Sequence, residues 1–156
     1  MSKHIAVYGL QDNKNMKTII FMGRSGAGKT TLTQALQQRP VIYEKTQAIA
    51  YYSGVIDTPG EYAENMHLGA ALALYAYEAD VVGLLISATD DYSLFPPNIV
   101  SMVNREVIGI VTHMDKEGAT PERAERWLRL SGCTRIFFIN SKDPQSAEPL
   151  LRYLQT

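Results

Sequence analysis

Lys17-Thr-Ile-Ile-Phe-Met22 runs straight into Gly23-Arg-Ser-Gly-Ala-Gly-Lys-Thr30, and Thr31-Leu-Thr-Gln-Ala-Leu-Gln-Gln38 follows. The first piece is short, apolar and partly β-branched, as a buried strand should be. The last holds good helix formers and ends before Pro40. The middle matches GxxxxGK[ST] in full, in the strand-to-helix setting that gives this pattern its meaning. Glycines let the backbone curl so that successive N–H groups point inward at an anion. The residues expected around a nucleotide's phosphates are Gly23, Arg24, Ser25, Gly26, Ala27, Gly28, Lys29, Thr30 and Thr31. Lys29 reaches the β- and γ-phosphates and is the first catalytic candidate, while the Thr30 hydroxyl joins a Mg²⁺ shell.

Working outward, apolar runs alternate with helical patterns. Gln47 to Tyr52 and Val55 to Asp57 read as short strands, His67 to Ala79 as a helix and Val81 to Ser87 as a buried strand. A loop with Pro96-Pro97 follows. Val107 to Thr112 is another buried strand. Thr120 is the expected N-cap of a helix with Pro121 at its first position, and Gly132 is suited to end it. Ile136 to Ile139 is the last strand and Ala147 to Leu154 the last helix. The expected fold is α/β: a three-layer P-loop NTPase with a mainly parallel sheet and helices on both faces. Residues 16–156 form this domain. Residues 1–15 stand apart as an N-terminal extension that reads equally as an edge strand, a partner-binding peptide or a tail.

Val55-Ile-Asp-Thr-Pro-Gly60 puts an aspartate at a strand end, where Mg²⁺ chemistry needs one. Asp57 holds the ion through water in this reading, and Gly60 offers a backbone N–H to a γ-phosphate. Thr46, 11 positions before Asp57, can complete the metal set of Thr30, Thr46 and Asp57, and it reads equally as a surface-loop threonine. Glu61 is the second catalytic candidate. Its carboxylate can act as a base or position an acceptor's attacking oxygen, and it reads equally as a solvated loop residue. After the Val107–Thr112 strand, Thr112-His113-Met114-Asp115 stands where guanine-reading proteins carry Asn-Lys-x-Asp. Asp115 can accept from guanine N1–H and N2–H₂. His113 can stack on a base but lacks the long charged arm of lysine, which weakens a guanine preference and leaves ATP or GTP open. Ser141 and Lys142 sit where such proteins place a base-supporting Ser-Ala-Lys.

The chain has 156 residues, 15 Lys plus Arg against 16 Asp plus Glu, and a net charge of −1. That length suits one domain. The balance argues against nucleic acid as a partner, because phosphate-backbone binding needs a basic surplus. The longest apolar stretch, Leu68 to Tyr77, has ten residues, against about 20 needed to span a bilayer, so no membrane role is expected. Cys133 is the single cysteine. A lone cysteine and no recognisable secretory signal place the chain in a reducing cytoplasm.

These elements together resemble the EutP/PduV family of ethanolamine and propanediol utilisation. The resemblance rests on Gly23 to Leu32, Lys45-Thr-Gln-Ala48, Ile56-Asp-Thr-Pro-Gly-Glu-Tyr62, Glu78-Ala-Asp80, Val107-Ile-Gly109 and Asn140 to Ser146 with Tyr153-Leu154. It runs from about Met16 to Thr156, and His113 departs from the lysine usual in the family. The resemblance implies a small Ras-like G domain and a Mg²⁺-dependent ATP- or GTP-binding protein with slow hydrolysis or phosphoryl transfer, with acetate as the acceptor in the EutP branch. It also implies association with a bacterial microcompartment, through its shell or its enzymes. The alternative is a binding module for which nucleotide is a conformational signal.

Overall fold

The computed structural model describes residues 17–24, 26–28, 32, 50–52, 55–57, 79–140 and 142–155, with 50–52, 55–57 and 144 described by backbone. Apart from Leu32 and Ala79, the expected helices Thr30 to Gln38 and His67 to Ala79 lie outside these residues, as do the extension 1–15 and Ser25, Lys29, Thr30, Thr31, Thr46, Gly60, Glu61 and Ser141.

Six strands form one sheet: β1 (Ile19–Met22), β2 (Ala50–Tyr52), β3 (Val55–Asp57), β4 (Val81–Ser87), β5 (Glu106–Thr112) and β6 (Ile136–Phe138), in the order β2-β3-β1-β4-β5-β6. β2 runs antiparallel to β3 and forms one edge. The remaining pairings are parallel. Two described α-helices follow β5 and β6: α1 (Pro121–Ser131) and α2 (Glu148–Gln155).

Strand side chains alternate between faces, and the apolar residues divide accordingly. Ile20, Met22, Val82, Leu84, Ile86, Val107 and Val111 pack with Ala124 and Leu128 of α1. Ile19, Phe21, Val81, Leu85, Ile108 and Ile110 pack with Leu150 and Leu154 of α2. Both faces are therefore covered, and every residue of β1 and β4 is buried. That is why these strands read as continuous apolar runs.

Boundaries differ from the sequence reading for local reasons. β1 begins at Ile19 because the amides before it bond elsewhere: Lys17 N–H to the Leu154 carbonyl (2.7 Å) and Thr18 N–H to Asp80 Oδ2 (2.9 Å). Thr120 precedes α1, but its hydroxyl makes no capping bond. Its backbone N–H instead donates to the Ala88 carbonyl (2.7 Å), joining the helix start to the end of β4. At the other end, Gly132 has φ +111° and bonds back to the last turn, a left-handed stop that glycine adopts without a Cβ penalty. The loop after Pro96-Pro97 contains a 3-10 turn, Ile99–Met102, that has no signal in the sequence. A second, Pro144–Ala147, precedes α2 and is capped by Asp143 Oδ1 accepting from Gln145 N–H at 3.1 Å.

Candidate functional site

Parallel strands deliver their following loops to one sheet end, the end at which open α/β sheets bind ligands. Gly23 leaves β1 tightly against β4: a Cβ there would stand 3.0 Å from the Leu85 carbonyl oxygen and 3.1 Å from Leu85 Cβ. The loop then passes through Gly26 (φ +84°) and Gly28 (φ +98°), both in the left-handed region that favours glycine. Ala27 N–H bonds to the Arg24 carbonyl at 3.0 Å, and Leu32 N–H to the Gly28 carbonyl at 2.9 Å. The second bond has the i to i−4 spacing of a helix, and Leu32 itself is helical.

The Thr112 to Asp115 segment lies against this loop. Buried Thr112 donates its hydroxyl to the Ala27 carbonyl at 2.7 Å. His113 takes a left-handed backbone, φ +58°. Its Nδ1 lies 2.8 Å from Ser87 Oγ, which is 2.7 Å from Thr89 Oγ1. Its Nε2 lies 3.5 Å from the position a Cβ on Gly28 would take, so the ring rests over the glycine loop. Asp115, after β5, and Lys142, after β6, meet at 3.7 Å between Oδ2 and Nζ. Lys142 is placed by its own N–H bonding to Asn140 Oδ1 at 3.0 Å.

Arg24 points its guanidinium at the loop after β4. Nη1 pairs with Asp90 Oδ1 at 3.3 Å, Nη2 donates to the Tyr92 hydroxyl, and the cation lies 4.2 Å from the Tyr92 ring centre. Arg123 of α1 donates to the Asp90 carbonyl at 2.7 Å. Burial pushes the Asp90 carboxyl above its ordinary range, while Arg24 and the Ser87 N–H pull it back down. The Arg24 side chain thus anchors the glycine loop to the loop after β4, at Asp90 and Tyr92.

Asp57 is placed by register alone: it ends β3 and pairs with Phe21 of β1, two residues before Gly23. Among the described residues no group of three or more His, Cys, Asp or Glu could hold a metal ion. A Mg²⁺ site of hydroxyls, one carboxylate and phosphate oxygens needs no such group. Sequence reasoning missed Ser87, Thr89, Asp90 and Tyr92. The available signal was a polar residue, Ser87, closing an otherwise apolar strand at its C-terminal end.

His113 carries a pH dependence. Burial and Lys116 hold its pKa below the ordinary 6.5, with Asp115 opposing. Between that lowered value and 6.5 the unfolded chain binds the proton and the native chain does not. Stability contributed at this position is therefore complete above about pH 6.5 and falls as pH drops toward the folded-state pKa. Melting temperatures measured from pH 8 to pH 5.5 should decline more steeply for the natural chain than for His113→Gln. Equal slopes would remove His113 from the cause.

Strand order β2-β3-β1-β4-β5-β6, with the glycine loop leaving the inner strand β1, is the Ras-like P-loop arrangement. The fold likeness extends to a variant of Era from Aquifex aeolicus solved with GDP and AlF4⁻, at TM-score 0.58 and 21% identity, over 89% of this chain and 57% of that one. The chain belongs to the PduV-EutP family, described as ethanolamine utilisation - propanediol utilisation, whose family model matches residues 16–156. It is 39% identical over 142 residues to the propanediol utilization protein PduV of Citrobacter freundii, covering 89% of this chain and 93% of that one. To the probable acetate kinase EutP of Escherichia coli K12 it is 35% identical, covering 89% of each. No helix among the described residues is long and apolar enough to cross a membrane.

Proposed function

We propose that this chain is a Mg²⁺-dependent nucleotide-binding protein of ethanolamine or propanediol utilisation that slowly hydrolyses a nucleoside triphosphate or transfers its γ-phosphoryl group. The carrying observation is the 2.7 Å bond from Thr112 Oγ1 to the Ala27 carbonyl. It ties the loop suited to phosphates to the segment suited to a base, so one ligand can span both. In this reading the N–H groups from Gly23 to Thr31 hold the phosphates, Lys29 neutralises β- and γ-oxygens, and Gly60 N–H meets the γ-phosphate. Thr112, His113, Asp115, Ser141 and Lys142 surround the base. Thr30, Thr46 and Asp57 hold the Mg²⁺, which when bound supplies charge neutralisation at the phosphates.

Acetate is the proposed acceptor because three relatives bear the name probable acetate kinase. An acetate oxygen attacks the γ-phosphorus, the bridging P–O bond to the β-phosphate breaks, and its electron pair leaves with the nucleoside diphosphate. Glu61 positions the attacking oxygen. Its own negative charge repels acetate, and Arg24, engaged with Asp90 and Tyr92, is less suited to offset that charge than Lys45.

A second reading, a nucleotide-switched module in the cytoplasm that associates with a microcompartment shell or its enzymes, is favoured by one feature. An apolar groove of about 380 Å³ lies between Leu94, Pro96, Pro97, Trp127 and Leu130. Phe95 also lines this groove, is 5% exposed and packs into the core beside it.

Binding and turnover of Mg-ATP and Mg-GTP, with and without acetate, test the proposal. Lys29→Ala should weaken nucleotide binding by roughly 10–100-fold, the worth of a hydrogen bond to a charged group, and abolish acetyl phosphate formation. Triphosphate-dependent capture of a partner without transfer would favour the module. Binding of no nucleotide would sink both readings.

A further inference from the structure

Asp115 is not alone at the proposed base pocket. β5 and β6 are parallel neighbours, with Val111 opposite Phe138, so the turns after them emerge side by side. Asp115 comes from the first and Lys142 from the second, and their charged ends meet at 3.7 Å. The Lys142 backbone is held: its N–H bonds to Asn140 Oδ1 (3.0 Å), Asn140 N–H bonds to Ser146 Oγ (2.9 Å), and Asp143 N–H bonds to the Asn140 carbonyl (2.9 Å). Its side chain is 76% exposed and that of Asp115 is 32% exposed. An exposed pair of this kind is weak, so it opens for a ligand at little cost.

The chemistry of purine edges decides what such a pair can take. Guanine presents an O6 acceptor beside N1–H and N2–H₂ donors. Adenine presents an N1 acceptor where guanine has a donor. A carboxylate by itself matches guanine and repels adenine N1. An ammonium beside it supplies the missing donor, to guanine O6 in one case and to adenine N1 in the other. His113, which a base-reading lysine would replace, is held against Ser87 and over Gly28 and cannot supply that donor at the edge.

We infer that Asp115 and Lys142 form a donor-acceptor couple that reads the purine edge, and that Lys142 makes the site accept adenine as well as guanine nucleotides. This rests on the nucleotide reading above and adds its base selectivity. The test is calorimetric titration of the full chain with Mg-ADP and Mg-GDP, for the natural protein, Lys142→Ala and Asp115→Asn. The natural protein should bind the two within about tenfold of each other. Lys142→Ala should weaken ADP by about tenfold and GDP less, because guanine keeps its N1–H and N2–H₂ bonds to Asp115 while adenine N1 is left facing the carboxylate; selectivity then shifts toward guanine, and Asp115→Asn should shift it toward adenine. Equal effects on both nucleotides, no effect of Lys142→Ala, or discrimination beyond about a hundredfold in the natural protein would overturn the inference and leave nucleotide binding intact. Failure of the natural protein to bind either nucleotide would overturn the underlying reading and this inference with it. Matching thermal melts of the three proteins confirm that the comparison is between folded chains.

Discussion

Thr112→Val should cost about 1–3 kcal/mol of stability, the usual penalty for leaving a buried polar partner unsatisfied, and weaken nucleotide binding several-fold. Valine keeps the branched shape of threonine and fits the same strand position, so the loss isolates one hydroxyl. Thr112 is 4% exposed and Ala27 is 3% exposed. Their 2.7 Å bond spans 85 residues of chain. Without it, water cannot easily replace the donor to the Ala27 carbonyl, and the glycine loop loses its tie to the segment after β5. Urea denaturation measures the first effect and nucleotide titration the second. Thr112→Ser, which restores the hydroxyl, should recover most of both. A valine variant as stable and as tight-binding as the natural chain would show that the bond does not hold the two halves of the site together.

Leu128→Ala is expected to cost about 2–5 kcal/mol, the range for deleting a fully buried leucine. Against a total stability of roughly 5–15 kcal/mol, that is a large share. Leu128 is 0% exposed and lies directly over Gly109. A Cβ on Gly109 would stand 2.9 Å from Leu128 Cδ1 and 3.2 Å from Leu128 Cβ. The missing side chain at 109 is what lets α1 sit this close to β5. Gly109→Ala should accordingly cost about 1–3 kcal/mol by overpacking. The double variant should cost less than the two losses added, because the new methyl enters the space the leucine vacates. Denaturation of all four proteins closes the cycle, and strict additivity would show that the two positions do not share one packing contact.

Much of the architecture was legible because its signals are local. The runs at Val81–Ser87 and Val107–Thr112 contain little that could face water, so they had to be strands buried on both sides. Pro121 and Gly132 bracket α1 for reasons internal to the backbone. The glycine loop is legible for the same reason: Gly26 and Gly28 occupy backbone conformations that other residues rarely adopt. Thr112 and Asp115 were marked by their place at the end of β5 and just after it, while the bond from Thr112 to the Ala27 carbonyl left no sign in the sequence. Thr120 stands at the N-cap position with Pro121 directly after it, as the sequence indicates, but its hydroxyl makes no capping bond.

The long-range contacts were not legible. Arg24 lies 66 residues from Asp90, and His113 lies 26 residues from Ser87. The second contact exists because parallel pairing sets Ser87 opposite Thr112, a register that side-chain type alone does not specify. Local backbone preference and apolar periodicity act within a few residues, so the chain by itself determines its strands, its glycine loop and its family. Which charged and polar side chains meet at the sheet end, Arg24 with Asp90 or Asp115 with Lys142, depends on how separate strands align. That alignment is settled by packing both faces of the sheet at once.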